Sequence, residues 1–460
     1  MSMVYKLTLT ALFPEGAAPG AGGSANRRLV AKNGKDQAIL RGSALAGVLR
    51  SAYADKMGVS SQDKSVARWF GAGYDGDQEN SSVVQVADAV INCKALNQLT
   101  HNMVNRHTGA VAKSALLSLE AIPPRAGASL SITLKPDGDE TEHCAEFVSD
   151  LVEILGNDLL IGGSINRGIG RMKAAGGIYL NTFDLDTVEG AAEFMDAQYR
   201  ELKNGVTPAG DKQKIPENKE RLKISLVLGI PRGEDILIGD GQEADYSLKP
   251  QSVRFVDGTR HWRIPGSSLR GVFRGWMTRL AVRDGEGVKD TVQQWYDLSD
   301  DMNTREYRPD LASWGFIESK DREKYRKQPA LLNDPILDLF GSMYKKGRIH
   351  ITDSFSGPAK TRDSHPRMHV AVDRFSGGAN EGALFDNKVL AGETLRFPVT
   401  ISITDPAKYD IKWLVKTLRA LHLGILCVGS SKSGGRLEIK SLSANGQGAN
   451  AVTTFAQELN

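Results

Sequence analysis

The sequence predicts an α+β protein built from two tandem ferredoxin-like (RRM-like) domains, and three repeated segments predict it. Gly42-Ser43-Ala44-Leu45-Ala46-Gly47-Val48-Leu49-Arg50 returns as Gly266-Ser267-Ser268-Leu269-Arg270-Gly271-Val272-Phe273-Arg274. Asn105-Arg106-His107-Thr108-Gly109 returns as Asp373-Arg374-Phe375-Ser376-Gly377. Gly163-Ser164, with a glycine-rich turn and Arg171 behind it, returns as Gly429-Ser430 with Gly434, Gly435 and Arg436. Three matches in the same order, with insertions between them, indicate two copies of one unit.

Each copy opens with a strand. Tyr5, Leu7, Leu9 and Ala11 alternate with polar residues, as do Leu222, Ile224, Leu226 and Leu228, the period of a half-buried strand. A helix follows. Leu269, Val272, Phe273, Trp276, Met277 and Leu280 form one apolar stripe at helical spacing, and Leu45, Val48, Leu49 and Ala52 do the same in the first copy. Ser43, and Ser267 or Ser268, stand where a side chain would cap each helix. Trp69-Phe70-Gly71 and Leu339-Phe340-Gly341 then lead into strands at Val83–Ile91 and Arg348–Ser354. Alternating runs end at Leu130–Leu134 and Leu395–Ile403, and second helices are expected around Phe147–Leu155 and Trp413–Leu423. A glycine-rich turn and a last strand close each copy. Strand, helix, two strands, helix, strand is the ferredoxin-like order.

Domain bounds follow: 1–200 for the first unit, 201–220 for a linker, 221–445 for the second unit with an insertion near 284–335, and 446–460 for a polar, mobile tail. At 460 residues the chain exceeds what one hydrophobic core usually supports. No apolar run is long enough to cross a bilayer, so no membrane partner is expected. The alternating N-terminus reads as a strand and lacks the layout of a secretion signal. Cys93, Cys144 and Cys427, without CxxC spacing, argue against a disulfide framework or thiolate zinc site and for a reducing cytoplasm. A net charge of +3, from 58 Lys and Arg against 55 Asp and Glu, does not announce a nucleic-acid partner, so that case rests on local clusters.

Ile264-Pro265-Gly266-Ser267-Ser268-Leu269-Arg270-Gly271, Val372-Asp373-Arg374-Phe375-Ser376-Gly377-Gly378-Ala379 and Leu339-Phe340-Gly341 before Gly347-Arg348-Ile349 resemble, in that combination, the RAMP superfamily of CRISPR-associated RNA-binding proteins. Val104–Ala112 is similar to the thumb-base motif in the first copy. The resemblance covers nearly the whole chain and narrows to backbone subunits of type III effector complexes, here two fused in tandem with thumb hairpins and loop insertions. It implies guide RNA, target RNA, other RAMP subunits and the large polymerase-like subunit as partners. It also implies metal-dependent endoribonuclease cutting of target RNA, with Mg2+ as the divalent ion.

A helix N-terminus offers unpaired N–H groups to a phosphate. On that ground Ser43, Ser267 and Ser268, with Arg50, Arg270 and Arg274, are candidate RNA contacts, as is Arg374. The glycine turns can form anion-binding nests, which adds Gly162, Gly163, Arg167, Arg171 and Lys432. Aligning the copies on the helix motif sets Asp245 against Asn26. Asp245 thus occupies what resembles the family's catalytic and metal-binding position, and Asn26 cannot serve as base or anionic ligand. Asp240 and Asp235 are close alternatives, and Asp36 is a weaker one in the first copy. The second copy is therefore expected to cut and the first chiefly to bind. Two other functions compete: a purely structural guide-RNA-binding subunit, and a stand-alone guide-RNA-processing ribonuclease. His365 and His369, with Pro366 between them, make a poor helical metal pair. His101 and His107 flank the first thumb base. Tyr246, Phe255 and Phe375 are candidates equally for base stacking and for core.

Overall fold

A computed structural model describes residues 3–24, 27–71, 81–101, 117–138, 140–216, 221–240, 248–285, 334–341, 346–373, 375–429 and 435–459. In the first unit, β1 (Met3–Phe13) leads to α1 (Gly42–Met57), α2 (Lys64–Phe70), β2 (Val84–Val86) and β3 (Ala89–Asn92), then β4 (Ala126–Leu134), α3 (Glu140–Gly156), β5 (Arg171–Asp184) and α4 (Val188–Asn204). The sheet is antiparallel in the order β5–β1–β4, with both β2 and β3 beyond β4.

In the second unit, β6 (Leu222–Gly229) is followed by β7 (Arg260–Ile264), α5 (Gly266–Asp284), α6 (Pro335–Phe340), β8 (Ile349–Ile351) and β9 (Ser354–Pro358). The chain continues through a hairpin of β10 (Ser364–Val372) and β11 (Ala379–Leu390) into β12 (Arg396–Ile403), α7 (Lys408–His422), β13 (Glu438–Asn445) and α8 (Ala449–Glu458). Its sheet runs β13–β6–β12–β8. In both units the strand formed last lies outside the first, which pairs with the third: the ferredoxin-like order, twice.

Hydrophobic spacing explains the helices. Leu45, Leu49 and Tyr53 on α1 and Leu269, Phe273, Met277 and Leu280 on α5 are buried against their sheets. Phe147 of α3 stacks on Trp69 at 4.1 Å and meets Tyr53 edge-on at 5.0 Å, so α1, α2 and α3 share one aromatic cluster. Both Phe-Gly motifs end a short helix: Gly71 and Gly341 adopt φ near +80° and turn the chain toward the second strand.

Two boundaries differ from expectation. The start of the expected linker is the last turn of α4, and Asp211–Lys212 pair with β5. There Lys6 forms an ion pair with Glu201, and Thr8 and Ala209 exchange hydrogen bonds, so the polar face of the first sheet is covered. The expected mobile tail is instead α8, with Val452 and Phe455 buried in the second core. Two apolar residues one turn apart sufficed for an amphipathic helix that its overall polarity disguised.

Candidate nucleic-acid interface

The repeated Gly-Ser motif has a packing reason. Gly42 and Gly266 start their helices where the backbone of the second strand crosses behind them. A Cβ on Gly42 would lie 2.0 Å from the Val86 carbonyl oxygen, and one on Gly266 would lie 2.3 Å from that of Ile351. The freed amides are then taken by carboxylates. Gly42 N donates to Asp88 Oδ1 at 2.7 Å, and Gly266 N donates to Asp353 Oδ1 at 2.8 Å. The capping serines are thus corrected. The residues at the cap are Arg41 and Pro265, neither with a side-chain bond, and Ser43, Ser267 and Ser268 lie inside the first turn. Each helix end already holds an anion, which disfavours a phosphate at the same amide. These two aspartates were missed, although Val86-Ala87-Asp88-Ala89 and Ile351-Thr352-Asp353-Ser354 share an apolar-x-Asp-small pattern.

The glycine turns are framed alike. Gly162 and Gly429, both at positive φ, sit against the carbonyls of Ala18 and Leu237 at the loop after the first strand. Gly170 and Gly435 sit against those of Ile161 and Val428. The turn of the first unit then docks on the second. Gly168, at φ +95°, packs on Gly266 so closely that a Cβ on either would lie 2.8 Å from the other's Cα. Its carbonyl accepts from Asp353 N at 2.7 Å. Leu99, Leu119, Ala121 and Ile169 of the first unit cluster with Val253, Phe255 and Phe355 of the second. Asn97 and Arg254 exchange side-chain-to-backbone bonds across the same seam.

This seam is cationic. Arg263 is 2% exposed and bonds Asp353 at 2.6 Å and Gln251 at 2.9 Å, leaving Nη2 without a partner. Burial pushes the Asp353 carboxyl up, and Arg263 and the Gly266 amide pull it back. Burial, with Arg28 and Arg263 nearby, brings Arg167 down to about 10. Burial beside Arg263 and Arg167 brings His101 down to about 2, so it is neutral. Next to them, Arg171 bridges Glu15 and Asp158, and Lys223 of the second unit joins Asp158 at 3.1 Å.

Of the expected RNA contacts, Gly162, Gly163 and Arg167 come together here. Arg171 is also here, but its guanidinium is occupied by Glu15 and Asp158. Arg270 donates to the carbonyls of Ile349 and Phe340, and Arg50 to that of Ser61. Arg274, on α5, is 8% exposed. Phe255 is core, stacked on His261 at 3.9 Å, whereas Phe375 at the tip of the β10–β11 hairpin is fully exposed. Asp245, Asn26, Tyr246, His107, Arg374 and Lys432 lie outside the described residues. The alternative aspartates are engaged: Asp235 with Arg367 at 2.8 Å, Asp240 with Lys249 at 3.7 Å and Asp36 with Lys32 at 2.9 Å. His365 and His369 share one side of strand β10, where His369 stacks on Phe385.

Among the described residues, no three His, Cys, Asp or Glu side chains gather as a metal cage. Among the described residues no helix is long and apolar enough to cross a membrane. No curated protein matches the chain. The sequence model of the RAMP superfamily matches residues 8–173 and again residues 235–438, one match for each ferredoxin-like unit. With both halves so matched, the chain belongs to the RAMP superfamily, as a tandem of two of its domains.

Proposed function

We propose that the chain is a fused backbone subunit of a type III CRISPR RNA-guided complex, binding guide RNA along both units. One observation carries the assembly half of this reading. The glycine turn of the first unit is locked onto the Gly266 end of α5. At the corresponding end of α1, Gly42 is buried against the second strand, while Arg41, Ser43, Ala44 and Asp88 around it are exposed. The second unit's turn keeps the same glycine frame at Gly429 and Gly435. A chain in which one of two matching helix ends is docked, and the other has no docked turn among the described residues, suits a repeating assembly with other RAMP subunits, including the large polymerase-like one. Family membership supplies the RNA.

Cutting of target RNA is assigned to Asp245 of the second unit, with Asn26 leaving the first unit as a binder. Asp245 would hold Mg2+ together with RNA phosphate oxygens, and that ion would neutralise charge on the phosphate being cleaved. The competing structural reading keeps the RNA and drops the cut. The chain should be assembled on guide RNAs of increasing length and then given complementary target. Copies per RNA are expected to rise in equal steps, and Asp245→Ala is expected to abolish the cut attributable to this chain while leaving the assembly intact. Copy number independent of RNA length removes the assembly reading. Unchanged cutting by the variant removes the catalytic one.

A further inference from the structure

The charge at the seam is unbalanced. Asp353 is committed to Arg263, and Glu15 and Asp158 to Arg171, with Lys223 also on Asp158. Among the described residues, the charged groups acting on Arg167 are Arg28 and Arg263, both cations. Among the described residues, Arg167 Nη1 and Arg263 Nη2 are buried with no hydrogen-bond partner, as is His101 Nε2. Arg28 is exposed and leans over the turn, its Nη1 3.2 Å from where a Cβ of Gly163 would stand. Desolvated like charges cost stability unless an anion joins them. Gly163, exposed and without a side chain, leaves the approach from solvent open.

We propose that a single RNA phosphodiester seats at this joint between Arg28 and Arg167, with Arg263 behind them, so that the bound strand ties the two units together. This rests on the RNA-binding reading above but makes a separate claim: the seam between the units, rather than either helix end, is where this chain grips one backbone phosphate. Arg263, almost fully buried and with its Nη2 left over after Asp353 and Gln251 are bonded, is what distinguishes the place from an ordinary basic surface. Backbone contact of this kind is independent of base sequence.

The test uses the full chain, single-stranded RNA of mixed sequence, and inorganic phosphate as a second probe. Affinity for RNA is measured from about 50 to 200 mM salt, where each phosphate contact on a single strand adds about 0.7 to the log–log slope. Arg167→Gln is expected to lower that slope by about 0.7 and to weaken binding uniformly across sequences. Arg167→Lys is expected to restore the slope. Without RNA, Arg167→Gln is expected to melt no lower than wild type, because it removes a buried, repelled charge, and this guards against reading misfolding as lost binding. Inorganic phosphate at constant ionic strength is expected to raise the wild-type melting temperature more than that of Arg167→Gln. RNA binding with an unchanged slope in Arg167→Gln overturns the seam site and leaves the RNA reading standing. If wild type binds no RNA while phosphate still protects it through Arg167, the proposed occupant is wrong and the RNA reading falls with it.

Discussion

Gly266→Ala is expected to destabilise the second unit by about 3 kcal/mol, the upper part of the range for overpacking a closed site. The added methyl would meet the Ile351 carbonyl oxygen at 2.3 Å, Gly168 Cα at 2.8 Å and the Thr352 carbonyl carbon at 2.9 Å. All three are backbone, so no side chain can rotate away. The second glycine of the same motif is expected to behave oppositely. Nothing lies within 4 Å of a Cβ on Gly271, which sits inside α5. Gly271→Ala should therefore stabilise by about 0.5–1 kcal/mol, the ordinary helix gain. Urea unfolding of the two variants side by side checks both signs. Gly266→Ala should also loosen the seam, seen as faster hydrogen exchange at the Asp353 amide that Gly168 holds. If the two substitutions shift stability in the same direction, the motif's first glycine is not there for close approach.

That contrast marks what the sequence could carry. Periodicity placed β1, α1, β4, α3 and their partners in the second unit, because burying one face of a strand or helix imposes a local spacing on the residues themselves. The repeat was visible because Gly42 and Gly266 meet the same local demand. The arginines were harder. Arg270 reads in sequence as a solvent-facing helix residue, yet its side chain reaches the carbonyls at Ile349 and Phe340, and burial lowers it to about 10. Arg263 stands just before the Ile264–Gly271 motif but is not part of it, and only folding brings it beside Arg167, far away in the other unit. Which arginine stays free for a phosphate depends on which carboxylates and carbonyls the tertiary structure delivers first. Spacing along the chain does not encode that.

Asp353 offers the sharpest measure of that delivery. Asp353→Ala would leave Arg263 buried with its charge uncompensated and would strip the Gly266 amide of its acceptor. Breaking a buried pair in this way costs about 3–5 kcal/mol. Asp88→Ala removes the matching cap of α1 where the carboxylate is exposed, and is expected to cost about 1 kcal/mol. Denaturant unfolding should resolve the difference, and adding Arg263→Met to Asp353→Ala should recover part of the loss by removing the stranded charge. Equal costs for the two aspartates would show that the seam does not depend on its ion pair. The same variant separates stability from binding. Asp353→Ala adds net positive charge beside Arg167, so the fraction that remains folded is expected to bind RNA more tightly, and its salt slope should not fall.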